Sequence, residues 1–95
     1  MLFRSEIDQR VDIFAFGVTM YETLTGQKPF NGDTSREVLL AQKNRDSHFA
    51  APRDLNPSIP AAVERIILQC IEFDADKRYP HISYLVAGLR KALYV

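Results

Sequence analysis

Apolar residues along the chain fall into clusters with helical spacing, separated by polar stretches that carry the prolines. From Val11 to Leu24, the residues Ile13, Phe14, Phe16, Gly17, Val18, Met20, Tyr21 and Leu24 occupy nearly every side of a helical turn. A helix that is apolar all round, yet too short to span a bilayer, belongs in a protein core. Asp8 is placed to cap its start. Thr25-Gly26 is placed to end it, since glycine accepts the left-handed conformation of many helix termini. A second helix is expected over Ser35 to Lys43, where Thr34 and Glu37 have capping-box spacing and Val38, Leu39 and Gln42 make the inner face.

Between these two helices, Pro29 and Asn31-Gly32 punctuate a loop. Asn44 to Ile59 holds Pro52 and Pro57 and reads as a long irregular stretch, anchored by Phe49 and Leu55. Pro60 suits the first turn of a third helix, because it has no amide proton to leave unpaired there. Val63, Ile66, Ile67, Cys70 and Ile71 follow at intervals of three and four and form its stripe. Phe73 to Pro80 is a charged turn. The last helix is expected over His81 to Leu93, with Ile82, Leu85, Val86, Leu89 and Leu93 buried and Arg90 and Lys91 favoured by the negative end of its dipole. No segment alternates as a strand does. The fold class is all-α, a small bundle of about four helices.

Composition narrows the class of function. The chain has 95 residues, 46% of them hydrophobic and 25% charged, enough for one modest core. Twelve basic residues balance twelve acidic ones, so no net field draws in nucleic acid or an anionic membrane. Arg4, Arg10, Lys28, Arg36, Lys43 and Arg45 are interspersed with acids and read as solvated surface. A single cysteine, Cys70, rules out an internal disulfide and sits on an apolar stripe, where it reads as a small buried hydrophobe. His48 and His81 have no companion at zinc-ligand spacing, and Asp74 and Asp76 lack the glycine and distal glutamate of a calcium loop. No apolar run is long enough to cross a membrane, and a cytoplasmic location is the default expectation.

The order of the blocks carries the reading further. Asp12-Ile13-Phe14-Ala15-Phe16-Gly17-Val18, then Tyr21-Glu22, Leu24-Thr25-Gly26 and Pro29-Phe30, resembles the central F helix of protein kinases and the loop after it. Ile66-Ile67, Cys70-Ile71, Asp74 and Arg78 resemble the H helix and the arginine turn before the I helix. Together these blocks resemble the second half of the helical lobe of a serine/threonine protein kinase of bacterial type. Phe14 stands where the family has Trp or Tyr, Ala15 where it has Ser, and Ala75 where it has Pro.

The resemblance implies roles for matching positions. Asp12 would anchor the catalytic loop by accepting its backbone amides, bonds that a buried carboxylate needs. In the chain by itself, Asp12 reads as a helix N-terminal residue favoured by the dipole. Gly17 would be a structural position of the F helix. Arg78 would pair, through its planar fork, with the glutamate of the Ala-Pro-Glu motif; without that partner, Asp74 or Asp76 would hold it. Glu22 would lie near the peptide groove. The resemblance also implies that ATP and magnesium serve the whole kinase. The glycine-rich loop, strand lysine, catalytic loop and Asp-Phe-Gly motif that handle them are not in these 95 residues. Residues 1–95 are therefore expected to form a single partial domain without catalytic, cofactor or metal residues of its own. It would supply scaffold and docking surface. Its expected partners are the remainder of the kinase domain, a protein substrate, and a second copy drawn to exposed Phe14, Phe16 or Met20 of the first helix. A free-standing helical interaction module is the alternative reading.

Overall fold

The computed structural model describes residues 6–45 and 49–94, with side chains from Gln9 onward. Helix α1 spans Glu6–Thr25, α2 Ser35–Lys43, α3 Pro52–Leu55, α4 Ala61–Cys70 and α5 Ile82–Tyr94, with a 3-10 turn at Ala75–Lys77. Among the described residues there is no strand. The all-α expectation holds.

Helix α1 begins earlier than the apolar run does. Asp8 lies inside it and is not the residue before it. It ends as expected: Gly26 adopts φ 76°, and its amide donates to the Glu22 carbonyl at 2.8 Å. The expected bounds of α2 are met. Thr34 accepts from the Glu37 amide at 3.2 Å, while the Glu37 carboxylate reaches past Thr34 to accept from the Asp33 amide at 3.0 Å. The expected inner face of α2 is corrected. Only Val38, Ala41 and Gln42 are half-covered; Leu39 and Leu40 are exposed, and α2 buries no residue outright.

The core is an α1–α4 sandwich closed by α5. Ile13, Gly17 and Tyr21, one turn apart, form the inner stripe of α1. They meet Val63, Ile66, Ile67, Cys70 and Ile71, all buried as their spacing predicts. Gly17 permits the closest approach. A methyl group there would lie 2.5 Å from Cys70 Cβ and 2.8 Å from Ile71 Cγ2.

The stretch 44–59 is less irregular than its prolines suggest. Buried Pro52 starts α3, which is braced by the Asp54 carboxylate accepting from the Ala51 amide at 3.1 Å. Tyr21 donates to the Ala50 carbonyl at 2.6 Å, and Asn56 Nδ2 donates to the α1 terminal carbonyl of Leu24 at 2.9 Å. These bonds strap the segment along α1. Phe49 and Leu55 pack on the core as expected. Pro60 is the cap before α4, and its carbonyl accepts from the Val63 and Glu64 amides.

The expected stripe of α5 is half corrected. Leu85 is buried and Leu89 is half-covered against α4, but Ile82, Val86 and Leu93 are 48%, 42% and 61% exposed. Alpha-helical contact from α4 covers one flank of that stripe and leaves the other open.

Candidate functional site

The residues singled out by resemblance gather around α1 but face different ways. Gly17 is on the buried side. Asp12 and Glu22 are on the exposed side, with Val11, Ala15, Phe16 and Thr19. Phe16 is 41% exposed, and Phe14 and Met20 are half-covered, so this helix is not enclosed all round. Its open face carries Asp12 together with apolar groups whose spacing reads as core.

Arg78 lies at the other edge of α1, and the structure corrects its expected partners. Nε donates to the Glu72 carbonyl at 2.7 Å, Nη1 to the Arg10 carbonyl at 3.2 Å, and Nη2 to the Phe73 carbonyl at 3.1 Å. The guanidinium also stands 4.6 Å from the centre of the Phe14 ring. Neither neighbouring aspartate holds it. The Asp74 carboxylate is spent on the Asp76 amide, which opens the 3-10 turn, and Asp76 pairs with Arg10 at 3.5 Å. Backbone carbonyls win because the chain folds back around the fork after Cys70, presenting the Glu72 and Phe73 oxygens side by side. Burial pulls the Arg78 pKa down, while the nearby Asp74 charge acts the other way.

This corner has donor capacity to spare. Three of the five guanidinium N–H groups of Arg78 are used by the bonds above. The Arg10 Nε is buried with no acceptor among the described residues. A carboxylate brought to this corner would find donors waiting.

From the Phe14 ring, aromatic rings form a continuous line. Phe14 and Phe30 stack at 6.2 Å, Phe30 and Phe49 at 5.8 Å, and Phe49 meets Tyr21 at 5.7 Å. The line fixes the Pro29-Phe30 loop to α1. Arg45, read from sequence as a solvated cation, is half-buried. It donates to the Leu68 carbonyl and pairs with Glu72, both at 3.1 Å, and stands 5.5 Å from the Phe49 ring centre. Sequence reasoning missed it because its partners lie on α4 and just after it, which no local spacing links to Arg45. Arg4 and His48 lie outside the described residues. Cys70 is fully buried, and its thiol is pushed up to about 12 by that burial, which keeps it protonated and unreactive.

Comparison with known proteins agrees with this geometry. A family model described as protein tyrosine and serine/threonine kinase matches residues 1–89. A probable serine/threonine-protein kinase of Clostridium acetobutylicum is 36% identical over 83 residues, which cover 87% of this chain and 12% of the relative. The tyrosine-protein kinase MasK of Myxococcus xanthus is 40% identical over 75 residues, 79% of this chain and 11% of the relative. The serine/threonine-protein kinase PrkC of Bacillus subtilis is 33% identical over 84 residues, 88% of this chain and 13% of the relative. The chain thus spans about an eighth of the length of these relatives. Matched along nearly all its length, and folded with the arginine turn tied back to the start of α1, the chain belongs to the protein tyrosine and serine/threonine kinase family.

Proposed function

We propose that this chain is the scaffold and docking part of a serine/threonine protein kinase, and that the whole protein transfers phosphate from ATP with magnesium to serine or threonine of a protein substrate. The observation that carries this reading is the Arg10–Arg78 corner. The Arg78 guanidinium is held by three carbonyls, the Arg10 guanidinium pairs with Asp76, and both keep unused donors, of which Arg10 Nε is buried. A preceding activation segment ending in a glutamate would supply the matching acceptor, with two bonds to a planar fork.

The open face of α1 supports the same reading. Asp12, about two turns into the helix, and Glu22 near its end are exposed. In a whole kinase a catalytic loop would meet the first and a peptide would pass near the second. Both act by positioning. The steps of phosphoryl transfer are assigned to the glycine-rich loop, strand lysine, catalytic loop and Asp-Phe-Gly motif of a whole kinase, not to residues of this chain. Its contribution is rigidity. Alone it is expected to be inactive, and its open apolar face on α1 is expected to draw two copies together. Among the described residues no helix is long and apolar enough to cross a membrane. We place the domain in the cytoplasm, where ATP is supplied.

The experiment is a chimera in which this chain replaces the matched segment of the Bacillus subtilis relative. Labelled ATP should yield phosphoserine or phosphothreonine on acid hydrolysis. A folded chimera that yields none, or phosphotyrosine only, would overturn the proposal.

A further inference from the structure

A groove runs between α4 and α5, and none of its lining residues belongs to the Arg10–Arg78 pair or to the open face of α1. It has a volume of about 610 Å³ and is lined by Ala62, Arg65, Ile66, Gln69, Tyr79, Gly88, Lys91 and Ala92. That size lies within the roughly 300–1,000 Å³ of ordinary ligand clefts. Its floor is apolar, made by Ile66 and the half-buried faces of Tyr79 and Ala92.

Gly88 lines the groove and puts no side chain into it. A glycine inside a helix costs about 1 kcal/mol relative to alanine. Packing does not require it here, since a methyl group at Gly88 would lie 3.7 Å from Ile66 Cδ1 and 3.7 Å from the Tyr79 hydroxyl, ordinary contact distances. The situation is opposite to that of Gly17, where the neighbouring helix leaves no room.

Its polar groups are almost all donors. Arg65 and Lys91 are exposed on its rim, and among the described residues neither makes an ion pair. The Tyr79 hydroxyl, beside Gly88 on the floor, has no hydrogen-bond partner among the described residues. Burial raises the Tyr79 pKa, so the hydroxyl remains a donor at neutral pH. Among the described residues no carboxylate side chain lines the groove.

We propose that the α4–α5 groove docks an acidic, apolar peptide segment of a partner protein, one bulky apolar side chain filling the space over Gly88 and flanking carboxylates meeting Arg65, Lys91 and the Tyr79 hydroxyl. Charge complementarity sets the choice: an apolar floor under unpaired donors fits this ligand and disfavours a basic or purely apolar one.

The probe is a short fluorescein-labelled peptide with two leucines flanked by glutamates, read by anisotropy against the 95-residue chain. Its counterpart carries lysines in place of the glutamates. The glutamate peptide should bind saturably and the lysine peptide at least about tenfold more weakly. Gly88→Leu should abolish binding by filling the floor. Gly88→Ala, which adds ordinary contacts and improves the helix, should remain folded and serves as the control for Gly88→Leu. Tyr79→Phe should weaken binding about threefold to tenfold. Arg65→Glu with Lys91→Glu should reverse the preference between the two peptides. Equal binding of both peptides, or unchanged binding by a folded Gly88→Leu variant, would overturn the proposal. So would a self-associated state that Gly88→Leu dissolves, since the groove would then be filled by a second copy.

Discussion

Arg78 Nη1 donates to the carbonyl of Arg10 at 3.2 Å, joining two residues at opposite ends of the chain. The other two nitrogens bind carbonyls of the turn that Arg78 itself follows. One side chain therefore closes the turn and fastens it to α1. A lysine offers a point charge on a flexible stem and cannot reproduce three diverging bonds. Arg78→Lys should destabilise the chain by about 1–3 kcal/mol and Arg78→Ala by at least as much. Urea unfolding followed by circular dichroism measures this; a change within about 0.5 kcal/mol, ordinary for a surface site, would contradict it.

Gly17 and Gly88 should respond to alanine in opposite directions, although both sit inside helices. At Gly17 the new methyl would press within 2.5 Å of Cys70 Cβ, and the overpacking should outweigh the gain in helix propensity, for a net loss of about 1–2 kcal/mol. At Gly88 the methyl meets atoms at 3.7 Å, and Ala should stabilise by about 0.5–1 kcal/mol. Thermal unfolding of the two variants decides it.

Alkaline pH should unfold the chain before neutral or mildly acidic pH does. The Cys70 thiol moves from an ordinary 9.0 up to about 12 through burial. Burial also raises Tyr21, helped by the Asp54 charge, and raises Tyr79. The unfolded chain ionises these groups first, so the folded state binds more protons in that range. Stability is fully present below pH about 9 and falls as pH rises toward about 12. Cys70→Ala should flatten the slope. Native Cys70 should resist iodoacetamide at neutral pH and react once urea unfolds the chain.

Much of the helical framework was legible in the sequence, and the reasons are local. Thr34 and Glu37 fixed the start of α2, and Gly26 the end of α1. The spacing of Val63, Ile66, Ile67, Cys70 and Ile71 named a stripe that is buried at every position. What failed depended on partners distant in the chain. Helix α3 is strapped down by Tyr21 and Asn56, bonds that no window around Pro52 reveals. Ile82, Val86 and Leu93 have core spacing, yet their burial depends on a neighbour that α4 supplies on one flank only. At the site, Asp12, Gly17, Glu22 and Arg78 were named by resemblance. Their surroundings were not legible: carbonyls, not Asp74 or Asp76, hold Arg78, and Gly17 matters through contact with Cys70 and Ile71.

The chain should self-associate at high concentration, because α1 leaves Val11, Phe16 and Leu24 57%, 41% and 38% exposed. Sedimentation velocity should show a dimer or larger species that Phe16→Ser weakens. A monomer at every concentration would contradict this.

The central claim is that the open apolar faces are surfaces for the rest of a kinase lobe. It is tested most directly by labelling Val86→Cys with maleimide, once in the isolated chain and once in the chimera with the Bacillus subtilis relative. Cys70 is buried and stays silent in both. In the isolated chain, where Val86 is 42% exposed, labelling should be fast. In the chimera it should slow by at least about tenfold as the neighbouring lobe covers α5. Equal rates in a chimera that folds would show that this face remains open and would contradict the account.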